Sequence, residues 1–110
     1  MGWLADDFFG AGCVLAEASG TDWRGLDLAE VCGVMEINGV QVGHGVGADI
    51  INGHPLEALV WLAAEFSARG ETLPAGHIVM LGSVVKTVWV QPGDVVTVRL
   101  DGLGTATARF

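Results

Sequence analysis

Basic residues are scarce in this 110-residue chain: 5 against 13 acids, for a formal net charge of −8. Lys86 is the only lysine. A phosphate backbone would be repelled by such a balance, so nucleic acid is excluded as a partner, and an anionic lipid surface is disfavoured for the same reason. No apolar run approaches the ~18 residues that a membrane-spanning helix needs. The N-terminus meets Asp6 and Asp7 at once and has no basic region ahead of an apolar one, which argues against a secretory signal and for the cytoplasm. Cysteine is limited to Cys13 and Cys32, with no C-x-x-C spacing; both are expected to be reduced, buried thiols. His44, His54 and His77 lack zinc-ligand spacing, and no pair falls at i, i+4. Ser19 and Ser67 have no visible base, so a nucleophilic triad is unsupported. The Gly43-x-Gly45-x-Gly47 run does not open a helix and is not a dinucleotide fingerprint.

Apolar residues are plentiful. They make up 51% of the chain while charged residues make up 16%, so forming a core is no difficulty but covering the surface with charge is. A chain of this length is expected to be one domain, residues 1–110. The apolar excess points to a surface that meets another chain, and a homo-oligomer is expected. Trp3, Trp23, Trp61 and Trp89 are expected to be core or interface anchors.

Local patterns point to an α+β, mostly β fold: a mixed or antiparallel curved sheet with one main helix at about 55–69. Gly10 to Ala16 reads as a short buried strand. Glu30 to Ile37 alternates with period two and reads as a strand. Asn38-Gly39 then supplies the positive φ angles of a type I′ hairpin turn, and Val40 to His44 returns. Gly43, Gly45 and Gly47 mark a bulge or a close backbone approach. Pro55 suits the first position of a helix and Glu57 its positive end. Leu56, Leu59, Val60, Ala63 and Phe66 form an apolar stripe for burial, which Trp61 and Leu62 widen, and Gly70 provides the stop. His54 is expected to cap or brace the helix start. The runs His77–Leu81, Val84–Val90, Val95–Leu100 and Thr105–Phe110 are rich in valine, threonine and aromatics and read as strands.

From Met35 onward the order of short motifs is specific although each alone is weak: Met35-Glu36-Ile37-Asn38-Gly39, Gly45-Val46-Gly47-Ala48, Gly53-His54-Pro55-Leu56, Trp61-Leu62-Ala63, Leu73-Pro74-Ala75-Gly76, Gly82-Ser83, Pro92-Gly93-Asp94 and Gly102-Leu103-Gly104. Together they resemble the C-terminal part of the 2-keto-4-pentenoate hydratase and 4-oxalocrotonate decarboxylase group of the fumarylacetoacetate hydrolase superfamily. Leu4 to Leu15 resembles the segment that enters this region. The resemblance implies a mixed β fold with a helix against it, a small 2-oxo acid ligand from aromatic catabolism, and magnesium or manganese as the cofactor of full-length members. It also implies that the metal ligands, a Glu-x-Glu pair and a further acid, lie upstream of the matching region.

No Glu-x-Glu occurs in this sequence, Asp7 stands where the group has an amide, and Phe9 and Gly10 stand where some members have serine. The resemblance therefore implies a truncated or fragmentary relative without metal ligands or independent activity, or else a stand-alone oligomeric binding module. No catalytic residue and no metal ligand is assigned, and no cofactor is expected for this chain alone. Asp6, Asp7, Gly82 and Ser83 are the substrate-binding candidates: the acids as groups near substrate or a water, Gly82 as a close backbone approach, Ser83 as a hydroxyl donor to a carboxylate. Each also has a plain reading, a solvated acid or a strand-end turn. Lys86 is either a counter-charge for an anionic substrate or simply exposed.

Overall fold

The computed structural model describes residues 12–17 and 22–110. Its centre is a four-stranded antiparallel sheet of β1 (Cys32–Ile37), β2 (Val40–Val46), β3 (Val95–Leu100) and β4 (Gly104–Arg109), in the order β2-β1-β3-β4. One long helix, α1 (Pro55–Ala68), lies in the connection between β2 and β3. The expected mostly β fold with one main helix is what forms.

Two hairpins build the sheet. Asn38 and Gly39 have φ of 52° and 82°, as the β1–β2 turn requires. Asp101 to Leu103 turn β3 into β4, closed by the Leu103 amide donating to the Leu100 carbonyl at 3.0 Å. The hairpins join where β1 pairs with β3, Gly33 opposite Leu100 and Ile37 opposite Val96. Between them stands a polar clamp. The Asn38 Nδ2 donates to Asp94 Oδ1 at 2.9 Å, and Asn38 Oδ1 accepts from the Val95 amide at 2.9 Å. Asp94 Oδ2 accepts from the Gln91 amide at 2.9 Å. The Asn-Gly and Pro-Gly-Asp motifs are thus one device that fixes β3 beside β1.

The register puts Gly33, Met35 and Ile37 on the same face as Val96, Val98 and Leu100, with Ala106 and Ala108 beyond them on β4. Glu36, Thr97, Arg99 and Thr107 point to the other face. One face is apolar and the other polar, as in a sheet with one side meant for burial. On β2 the register slips between Met35 and Glu36, where Gly43 and Gln41 are the opposing residues and Val42 is the extra one. The glycines also mark close approaches, so both readings of the Gly43–Gly47 run hold. A β-carbon at Gly45 would lie 2.5 Å from the Val84 carbonyl oxygen, and one at Gly47 would collide with the Leu28 carbonyl.

The helix starts and stops as its sequence dictates. Pro55 occupies the first turn, and His54 caps it: Nδ1 accepts from the Leu56 amide at 3.1 Å. At the far end the Glu71 amide reaches the Phe66 carbonyl at 2.8 Å and the Gly70 amide the Ser67 carbonyl at 3.0 Å, with Gly70 at φ 73°. This is a Schellman stop.

Several expectations are corrected. Residues 12–17 form no strand and are exposed, because nothing among the described residues pairs with them. Cys13 and Cys32 are exposed free thiols, not buried ones. The runs 77–81 and 84–90 form no strands: each has strand-like composition, but the turns beside them, at 75–76 and 92–93, bring no free strand against them. No residue of α1 is buried, and Val60 and Trp61, in the expected apolar stripe, are exposed. Trp23, Trp61 and Trp89 are likewise exposed and anchor no core among the described residues; Trp3 lies outside them. The buried hydrophobic residues among those described are Ile50 and Val96.

Candidate substrate cleft

The apolar face of the sheet is roofed by the segment 80–85. The close approaches at β2 set its path. A β-carbon at Gly43 would stand 3.2 Å from the Val85 side chain, and the Gly45 position meets Val84. Only glycine lets the segment lie this close. At its other end Gly82 takes φ 112°, a conformation that side-chain-bearing residues rarely adopt, with Ile50 packed 3.4 Å from where its β-carbon would be. Between roof and sheet is a cleft of about 650 Å³. Met35, Val98, Leu100 and Ala106 supply its floor; Ile50, Pro55 and Met80 to Val85 supply walls.

Gly82 and Ser83, two of the four substrate-binding candidates, both line this cleft. Asp6 and Asp7 lie outside the described residues. The Ser83 hydroxyl is already used: it donates to the Val85 carbonyl at 2.8 Å and accepts from the Val85 amide at 3.2 Å. Its first role is to hold the roof turn, and donation to a bound carboxylate would require breaking the bond to Val85. Lys86 is exposed just beyond the roof and does not line the cleft. His54 is the helix cap, His44 projects on the polar face of β2, and His77 is exposed in the connection.

Among the described residues no acid, base or histidine lines the cleft. What it can do is bind a carbon skeleton and exclude water. Ile50 and the β4 alanines, Ala106 and Ala108, were not singled out from the sequence. For the alanines the signal was there, as period-two alternation along β4, but which face carries the cleft follows only from the strand order; Ile50 lies on no strand, in the connection between β2 and α1.

Among the described residues Asp94 has the one carboxyl that departs clearly from ordinary behaviour. The Gln91 amide and then the Asn38 side chain donate to it and hold its pKa below the usual 3.8. It is a structural clamp at the end of the two inner strands, β1 and β3, and does not line the cleft. Asp49 is similarly engaged, accepting from the Val46 amide at 2.8 Å. Among the described residues no group of three or more His, Cys, Asp or Glu is arranged to hold a metal ion. No helix among them is long and apolar enough to cross a membrane.

The family model described as fumarylacetoacetate hydrolase C-terminal matches residues 1–110. The chain belongs to the fumarylacetoacetate hydrolase C-terminal family. It is 46% identical to the 4-oxalocrotonate decarboxylase of Pseudomonas putida over 85 residues, which is 77% of this chain and 32% of the relative. It is 39% identical to the 2-keto-4-pentenoate hydratase of Paraburkholderia xenovorans strain LB400 over 87 residues, 79% of this chain and 32% of the relative. Two solved structures of this family, both 4-oxalocrotonate decarboxylase from Pseudomonas putida G7, superpose with TM-scores of 0.71 and 0.70 at 45% identity, covering 79% of this chain and 33% of theirs. One is complexed with calcium and acetate, the other with magnesium and adipate. The chain spans about a third of the length of the curated relatives it matches. The described residues do not fit a divalent cation of the kind in those two structures, since they offer no suitable donor set.

Proposed function

We propose that this chain supplies the apolar wall and the positioning backbone of a 2-oxo acid hydratase or decarboxylase site, and that it has no independent lyase activity. The family match takes in every residue of the cleft, and this coincidence carries the reading. The cleft's floor of Met35, Val98 and Leu100 takes the carbon chain of a small unsaturated 2-oxo acid. Its roof, Gly82 to Val85, keeps water from the reacting carbons. Removing water strengthens every charge interaction that reaches the substrate from elsewhere, since the same pair of charges interacts more strongly at lower dielectric. The polar groups that polarise the oxo and carboxylate oxygens, and any divalent ion, are held by residues other than those described. Asp6 and Asp7 remain the acids of this chain assigned to the substrate side. A cytoplasmic location goes with this reading.

Titration calorimetry tests it. Adipate added to the chain is expected to give weak heat that does not change with Mg²⁺, and Mg²⁺ alone none. Absorbance assays with 2-hydroxy-dienoate and 2-oxo-enedioate substrates are expected to show no turnover. Mg²⁺-dependent turnover by this chain alone would overturn the proposal.

A second reading, an assembly module without catalysis that works as a homo-oligomer, is favoured by one observation: Met80, Trp61 and Trp89 are all more than half exposed. Light scattering separates the two, because a stable monomer at micromolar concentration is incompatible with a self-assembling module.

A further inference from the structure

The chain has two asparagines, and a glycine follows each: Asn38-Gly39 and Asn52-Gly53. Such a pair is chemically labile. With no β-carbon to shield it, the glycine nitrogen can attack the carbonyl carbon of the asparagine side chain. The fold gives the two pairs opposite surroundings.

Asn38 is clamped. Its Nδ2 donates to Asp94 Oδ1 and its Oδ1 accepts from the Val95 amide, both at 2.9 Å. Its own amide donates to the Val95 carbonyl at 2.9 Å, and its turn closes the paired strands β1 and β2. Reaction there requires the side chain to leave both partners and rotate onto the Gly39 nitrogen. Asn52 has no such hold. It is exposed, in the short turn Ile51–Gly53 ahead of the helix, with φ 64° and ψ 12°. Among the described residues its side chain makes no hydrogen bond. The bond to be given up is that of the attacking group itself, from the Gly53 amide to the Ile50 carbonyl at 2.9 Å. An exposed turn held in this way opens more readily than a hairpin inside a sheet.

We infer that Asn52 is a site of spontaneous deamidation, and that the clamp shields Asn38 from the same reaction. The Gly53 nitrogen loses its proton and bonds to Cγ of Asn52; the side-chain nitrogen leaves as ammonia, and a succinimide ring closes. Water then opens the ring. Addition at Cγ breaks the new bond and leaves aspartate. Addition at the backbone carbonyl carbon breaks the original peptide bond and leaves isoaspartate, with the chain running through the side chain. Water is consumed and ammonia released, with no oxidation or reduction.

The position gives the reaction a consequence. Ile50 and Pro55, on either side of the turn, both line the cleft, and Ile50 is buried. Isoaspartate lengthens the backbone between these two walls by one carbon, and either product adds negative charge to a chain already at −8. The effect on the cleft rests on the proposed function; the modification does not.

The test is ageing of the full chain in mildly alkaline buffer, native and in urea, followed by peptide mapping. Cleavage ahead of Asp49 puts Asn38 and Asn52 on separate peptides, and the readout is the mass gain of exchanging NH2 for OH. In the native chain Asn52 is expected to convert at least about tenfold faster than Asn38, the effect of the additional hydrogen bonds that Asn38 must break. In urea the two are expected to convert at similar rates, because the dipeptides are the same. Asp94→Ala removes one clamp partner and is expected to accelerate Asn38 about threefold or more while leaving Asn52 unchanged. The native-against-urea comparison does not depend on that variant folding. Equal native rates at the two sites overturn the inference. So does an Asn52 that stays intact in the native chain while converting in urea. Calorimetry with adipate reads the consequence: the aged chain is expected to lose heat relative to the fresh one, and Asn52→Gln aged alike is expected to keep it. Undiminished heat from a chain converted at Asn52 overturns the effect on the cleft. A fresh chain that gives no adipate heat counts against the proposed function and leaves the mass readout standing.

Discussion

Residues 32–46 and 95–109 form a four-stranded sheet whose β1–β2 ladder slips only at Val42, whereas residues 77–90, no poorer in valine and threonine, form no ladder. Composition does not separate the two regions; local closure does. Each paired strand has a neighbour one tight turn away, through Asn38-Gly39 or through Asp101-Gly102-Leu103. The 77–90 run is bounded by Pro74-Ala75-Gly76 and Gln91-Pro92-Gly93, which turn the chain but return it to no adjacent free strand. A β-forming sequence is a candidate for pairing, and a partner decides whether it pairs.

The sharpest way to break the contrast is a proline in the centre of the ladder. Thr97 sits on β3 between Glu36 of β1 and Thr107 of β4. Thr97→Pro removes a ladder donor from a strand paired on both sides and is expected to cost ~3 kcal/mol or more, enough to abolish the sheet. Circular dichroism and urea unfolding check it; a native-like spectrum and midpoint would show that the β1–β3 pairing does not hold the sheet together.

Next comes the contact between the two regions. Gly45→Val places a side chain where the Val84 carbonyl and side chain already stand, 2.5 and 3.1 Å from the new β-carbon. Overpacking against backbone is expected to cost about 3 kcal/mol and to lift the roof from the sheet. Loss of adipate binding alongside the lower urea midpoint would tie stability and cleft together. An unchanged cleft would show that the roof is held elsewhere.

The clamp between the hairpins is worth less. Asn38→Ala removes both side-chain bonds, to Asp94 and to the Val95 amide, and puts alanine at a positive φ. A loss of about 1–3 kcal/mol is expected in urea unfolding. Its pH signature follows from Asp94. The folded-state pKa is depressed by the Gln91 amide and the Asn38 side chain, so the ionised form is favoured on folding. The resulting stabilisation is present above the unfolded carboxyl value of about 4 and is lost as pH falls through the lower folded value. Asp94→Asn is expected to flatten this acid limb. An acid limb as steep as in the parent chain would assign it to other carboxylates.

Much of the fold was legible for the same reason that these effects are local. Pro55, His54 and Gly70 define the helix by which amides and carbonyls need partners at its ends. Val95–Leu100 alternates and is followed by glycines suited to a turn. The Asn38–Asp94 clamp was not legible, because its ends are far apart in sequence and each already has a sufficient local role as a turn residue. The cleft was legible only at Gly82 and Ser83, through the family resemblance. Its floor depends on strand order, and the closeness of its roof on three glycines whose neighbours no linear pattern names. The expected burial of Val60 and Cys13 failed because an apolar residue becomes a core residue only when something covers it.

The smallest expected effect tests the comparison most directly. Thr87→Pro makes the same chemical change as Thr97→Pro, in a run of similar composition. Thr87 is exposed, and among the described residues its amide donates to no backbone carbonyl. The substitution is therefore expected to change the urea midpoint of the chain alone by no more than the equivalent of about 0.5 kcal/mol, as for surface sites without a structural role. Silence at Thr87 beside a lost sheet at Thr97 would show that the two regions differ only in whether a partner strand is present. A large loss in the isolated chain would mean that residues 84–90 already hold the sheet, and that the contrast between the regions is smaller than their hydrogen bonds indicate.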